Sequence, residues 1–102
     1  MLLIETPTFT RQITELLSDD EYTKFQLQIA ADPKAGSVIP GSGGLRKIRW
    51  SRAGGGKRGG MRVIYFAATE GRIYLLAAYA KSAREDLTKR QFAVLRGLVG
   101  GK

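Results

Sequence analysis

The sequence predicts a small α+β domain: an antiparallel sheet of three to four strands with two N-terminal helices and a short C-terminal helix, the helices lying on one face of the sheet. Three observations lead there. Apolar residues recur at helical spacing between Phe9 and Ile29 and again between Phe92 and Val99, whereas the stretches between Leu45 and Ala80 alternate or run continuously apolar. Serine and threonine stand at plausible helix starts with Glu or Gln three residues on. Segments rich in Gly, Pro and Ser separate these elements. At 102 residues the chain supports one modest core, so residues 1–102 are expected to form a single domain.

In chain order, Leu2 to Ile4 forms a short strand closed by Pro7, whose ring removes a ladder donor. From Thr8 a first helix carries Phe9, Ile13, Leu16 and Leu17 on one side. Ser18 caps a second helix, with Asp19, Asp20 and Glu21 in the first turn, where the helix dipole favours carboxylates; capping accounts for that acidic cluster with fewer assumptions than a metal site does. This helix presents Tyr22, Phe25 and Ile29 and ends before Asp32-Pro33, because a residue preceding proline is pushed out of the α region. Residues 33–44 read as a loop, with Val38 and Ile39 tucked onto the core. Leu45 to Trp50 and Met61 to Ala68 read as two strands of a long hairpin, and Arg72 to Ala80, apolar on both faces, as a central third strand. Thr88 with Gln91 caps the last helix, Leu87 stapling onto Phe92, and Gly100 follows as its stop.

Charge is concentrated in one place. Between Leu45 and Phe66 stand Arg46, Lys47, Arg49, Arg52, Lys57, Arg58 and Arg62, seven basic residues with no acidic one. The whole chain has 17 Lys plus Arg against 9 Asp plus Glu, a net charge of +8. Such an excess favours nucleic acid, an anionic surface or an acidic protein partner. The chain has no Cys and no His, which removes disulfides and the usual zinc ligands, so no metal or cofactor is expected. Neither glycine-rich stretch carries Gly-x-x-x-x-Gly-Lys followed by Ser or Thr between a strand and a helix, so a nucleotide-binding loop is excluded. No run approaches the ~20 apolar residues of a membrane span, and the N-terminal apolar run is too short for a signal peptide. A soluble, cytoplasmic protein with no membrane partner is the expectation.

Three blocks of sequence, Gly44 to Arg49 (GLRKIR), Gly56 to Tyr65 (GKRGGMRVIY) and Tyr74 to Lys81 (YLLAAYAK), resemble the HigB branch of the RelE/ParE toxin superfamily, as do Asp20-Glu21-Tyr22 and Asp32-Pro33 in the first half. The resemblance implies a RelE-like fold and the toxin of a type II toxin-antitoxin system. It implies a ribosome-dependent endoribonuclease that cuts messenger RNA and stops translation, neutralised by a HigA-like helix-turn-helix antitoxin, with operator DNA bound only through the antitoxin complex. By the same resemblance Lys47 and Arg49 match the basic pair on the family's central strand, Arg62 its phosphate-contacting arginine, and Lys81 a basic position at the edge of that site. The tyrosine that well-known members carry beyond this lysine has no counterpart, since Ser82 and Ala83 follow and no tyrosine stands after Tyr79. Tyr65 and Tyr79 read as core or sheet-face aromatics.

The residues support the same chemistry independently. When a ribose 2′-hydroxyl attacks the neighbouring phosphorus, a base is needed near that hydroxyl, an acid near the departing 5′-oxygen, and positive charge on the phosphate. Without histidine, the proton carriers left are Lys, Tyr and carboxylates. A lysine crowded by cations releases its proton more readily, and Lys47 beside Arg46 and Arg49 is the candidate. Arg49 and Arg62 suit phosphate clamping, because a guanidinium offers forked donors and keeps its proton. Arg46, Arg52, Lys57, Arg58 and Arg84 are further candidate RNA contacts. Two other readings stay open on sequence grounds: a non-catalytic nucleic-acid-binding module, for which a basic sheet suffices, and a ParE-like toxin directed at gyrase.

Overall fold

The computed structural model describes residues 2–51, 60–69, 71–83 and 86–100. Among them, strand β1 (Leu2–Glu5) leads into helices α1 (Pro7–Leu16) and α2 (Asp19–Ala31), then strands β2 (Ser37–Val38), β3 (Arg46–Ser51), β4 (Gly60–Ala68) and β5 (Arg72–Ala80), and helix α3 (Lys89–Val99). The class is the α+β architecture expected, and the details of the sheet differ. Among the described residues five strands lie in the order β1-β5-β4-β3-β2. Of these five, only β1 runs parallel to its neighbour, pairing Leu2 through Glu5 with Arg72 through Leu75. The two helices between β1 and the rest of the sheet provide the crossover that parallel pairing requires.

The helix starts follow from their caps. Thr6 Oγ1 accepts from Phe9 N, and Pro7 occupies the first helical turn, where a missing N–H costs nothing. Pro7 therefore starts α1 as well as ending β1. Ser18 Oγ accepts from Glu21 N at the head of α2, and Thr88 and Gln91 form a reciprocal capping box on α3. The hairpin from β4 to β5 turns at Gly71, whose φ of +77° is one that side chains resist.

The sheet has a core on each face, so the helices are divided between its two sides rather than gathered on one. Phe9, Ile13, Leu17, Phe25 and Ile29 from α1 and α2 pack with Ile48, Met61, Val63, Tyr65, Ile73, Leu75 and Ala78. On the opposite face Phe92 and Val99 of α3 pack with Leu45, Ile64, Leu76, Ala77 and Tyr79. Burying a large apolar side chain contributes roughly 1.5–3 kcal/mol, so both cores matter. A bulge in β5 helps fill both. Ile64 pairs with Ala77 and Tyr65 with Leu75, which leaves Leu76 as the extra residue. Leu76 and Ala77 consequently both join the α3 core, and the alternation resumes at Ala78. Side chains take up the backbone groups this frees, as Thr6 Oγ1 donates to Leu76 O and Gln12 Oε1 accepts from Ala78 N. This is why the strand reads as apolar on both faces.

The segment expected to be wholly loop contains β2, where Ser37 pairs with Lys47 and Val38 with Arg46. Val38 is 52% exposed rather than tucked in, because β2 is the outermost strand of the sheet among the described residues. Ile39 does pack, against the α3-side core. The expected hairpin loop at 53–60 lies, apart from Gly60, outside the described residues.

Candidate nucleic-acid interface

Strand register brings the basic residues together on the α3 side of the sheet. Arg49 stands directly opposite Arg62, and Arg62 directly opposite Tyr79, forming one row across β3, β4 and β5. Directly opposed residues share a face with Cβ atoms about 4.5–5.5 Å apart, so these side chains are neighbours. The adjoining row is Lys47, Ile64 and Ala77. Cations therefore occupy the end of the face nearest the hairpin, while apolar residues under α3 fill the remainder.

Arg62 is only 7% exposed. Among the described residues it has no carboxylate partner, and its one hydrogen bond there runs from Nη1 to Met61 O at 3.4 Å. A guanidinium held this deep without a counter-ion costs stability unless an anion arrives to pair with it. Arg49 beside it is exposed, the opposite balance of access and burial. Lys81 is also exposed, one residue beyond β5, with its N–H tied to Gly60 O at 3.1 Å.

Lys47 has a counter-ion that sequence reading did not anticipate. Its Nζ lies 3.1 Å from Asp86 Oδ2, in the segment that enters α3. The crowding by like charge on which its candidacy as proton carrier rests is thereby offset. Asp86 Oδ1 accepts from Leu87 N at 2.8 Å and from the Tyr79 hydroxyl at 3.5 Å. Partial burial alone would push the Asp86 carboxyl up, but the Leu87 N–H, the Lys47 ammonium and the Tyr79 hydroxyl outweigh it and hold it below its ordinary range. Asp86 lies 39 positions from Lys47 in the chain. Its only local signal was an acidic residue just ahead of a capped helix.

Arg46 is turned away from this group. It shares a face with Ile48 and Trp50, and its Nη1 donates to Gly36 O at 2.7 Å and to Lys34 O at 3.4 Å. These bonds fasten the 34–36 segment to β3 beside the buried Tyr65, whose hydroxyl accepts from Gly36 N and donates to Pro33 O. The structure thus separates Arg46 from Lys47, Arg49, Arg62 and Lys81. Arg52, Lys57, Arg58 and Arg84 lie outside the described residues.

The sequence matches, over residues 6–100, the family described as the RelE toxin of the RelE / RelB toxin-antitoxin system. The chain belongs to the RelE toxin family. Membership carries with it an antitoxin as partner. The fold of this RelE family member is similar to that of a mutant of the E. coli toxin RelE in the free state, with a TM-score of 0.56 and 17% identity over 93% of this chain and 95% of that one. Among the described residues of the toxin, no helix is long and apolar enough to cross a membrane.

Proposed function

We propose that this RelE family toxin is a ribosome-dependent endoribonuclease of the HigB type that cuts messenger RNA in the cytoplasm and so inhibits translation. The observation that carries the reading is the buried Arg62 guanidinium, without a carboxylate partner among the described residues and directly opposite the exposed Arg49. Such a pair clamps a phosphate and stabilises the charge that builds on it during attack. Lys47 stands one row away, next to the attacking hydroxyl, and Lys81 guides the strand at the rim. A HigA-like helix-turn-helix antitoxin neutralises the toxin, and operator DNA is reached only through their complex.

The test is a cleavage assay on a defined messenger RNA, with and without programmed ribosomes, comparing wild type with Arg62→Ala. Cutting only by wild type and only on ribosomes is expected, with Arg62→Ala at least about 100-fold slower, as for loss of a main charge-stabilising donor. A folded Arg62→Ala protein that cuts normally would remove the site assignment. No cutting by wild type, with salt-sensitive RNA binding retained, would favour a binding module, and DNA damage in cells without blocked translation would favour a gyrase-directed toxin.

A further inference from the structure

The Arg49–Arg62 row ends on β5 at Tyr79, directly across from Arg62 and on the same face. Its ring is anchored in the α3-side core at 8% exposure, while its hydroxyl reaches out to Asp86. One carboxylate thus bridges Tyr79 and Lys47, through Oδ1 to the phenol and Oδ2 to the ammonium. A phosphate gripped by Arg49 and Arg62 would have Tyr79 at the β5 end of the row and the Asp86 carboxylate beside it. The chain has no histidine, so its proton carriers must come from such groups.

We propose that Tyr79 is the general acid of the cleavage reaction and that Asp86 orients its hydroxyl and completes the proton cycle. The inference rests on the endoribonuclease reading given above. In the step, the 2′-oxygen forms a bond to phosphorus as its proton passes to the Asp86 carboxylate. The bond from phosphorus to the 5′-oxygen breaks, and the Tyr79 hydroxyl protonates that oxygen. A 2′,3′-cyclic phosphate and a 5′-hydroxyl result. Asp86, now a carboxylic acid, returns its proton to the Tyr79 phenolate along the contact already present in the free protein. Lys47, paired with the carboxylate, places cationic charge beside the developing alkoxide. Protons and charge balance without a metal or a co-reactant.

The experiment is single-turnover cleavage at saturating toxin on programmed ribosomes, using ordinary messenger RNA and the same RNA with a bridging 5′-sulfur at the cleaved position. A thiolate leaves without protonation, so it does not need the acid. Tyr79→Phe, which keeps the ring in the core, is expected to cut ordinary RNA about 100-fold or more slowly and to regain most of the wild-type rate on the sulfur-containing RNA. Asp86→Asn, which still accepts from Leu87 N, is expected to be slow on both RNAs, and binding of an uncleavable 2′-deoxy analogue is expected to change little in either variant. Tyr79→Phe within about 3-fold of wild type, or equally slow on both RNAs, would overturn the assignment while leaving the endoribonuclease reading intact, provided that Arg62→Ala is inactive. Absence of cutting by wild type on either RNA would overturn both.

Discussion

Arg46 and Arg49 are three positions apart on one strand and do different work, because strand side chains alternate between faces. Arg46 donates to two carbonyls on the α1/α2 side, whereas Arg49 faces the cluster around Arg62. Arg46→Met is therefore expected to lower folding stability by about 1.5–3 kcal/mol, the worth of hydrogen bonds from a charged donor, while leaving RNA affinity largely in place. Arg49→Met is expected to do the reverse, weakening RNA binding with a thermal midpoint close to wild type. Paired thermal denaturation and RNA titrations check this, and equal loss of binding in both variants would contradict the division. Asp86 adds a pH signature. Because its carboxyl is held below the ordinary range, the contact with Lys47 is present above that range and is lost only as pH falls beneath it.

At the scale of elements, two tyrosines, the half-buried Tyr22 and the buried Tyr65, tie helices and loops to the sheet. Tyr22 on α2 donates to Glu5 at the end of β1, and Glu5 also accepts from Thr10 on α1, so one carboxylate links three elements. Burial first, then the hydrogen bond and charge of Glu5, raises the Tyr22 phenol. A group whose folded value is raised contributes stability below its unfolded value, which is lost as pH climbs towards the folded one. Denaturation midpoints of wild type are thus expected to fall above pH ~10, with a shallower fall in Tyr22→Phe, which starts about 1 kcal/mol less stable at neutral pH. On β4, Tyr65 satisfies the buried Gly36 N–H. A Cβ at Gly36 would lie 2.9 Å from Lys47 O and from the Tyr65 ring, so no side chain fits there. Tyr65→Phe leaves that N–H unpaired and is expected to cost about 1–3 kcal/mol in denaturant unfolding.

For the whole molecule, the +8 charge becomes useful because the sheet collects Lys47, Arg49, Arg62 and Lys81 at one end. Each phosphate engaged on single-stranded RNA contributes about −0.7 to the slope of log affinity against log salt. Engagement of these four cations predicts a slope of about −3 for isolated toxin, measurable by titration at several salt concentrations. A slope near −1 would mean that most of them do not meet phosphate. The caps at Ser18 and Thr88, the three long strands and the concentration of charge were legible in the sequence, since they depend on local spacing and residue type. The pairing of β1 with β5, the placing of α3 opposite the other helices, the exposed Val38 and the meeting of Asp86 with Lys47 and Tyr79 were decided only in three dimensions. Local pattern determines what each segment becomes, whereas pairing register and the bulge at Leu76 determine which distant side chains share a face, and no short stretch of sequence encodes that.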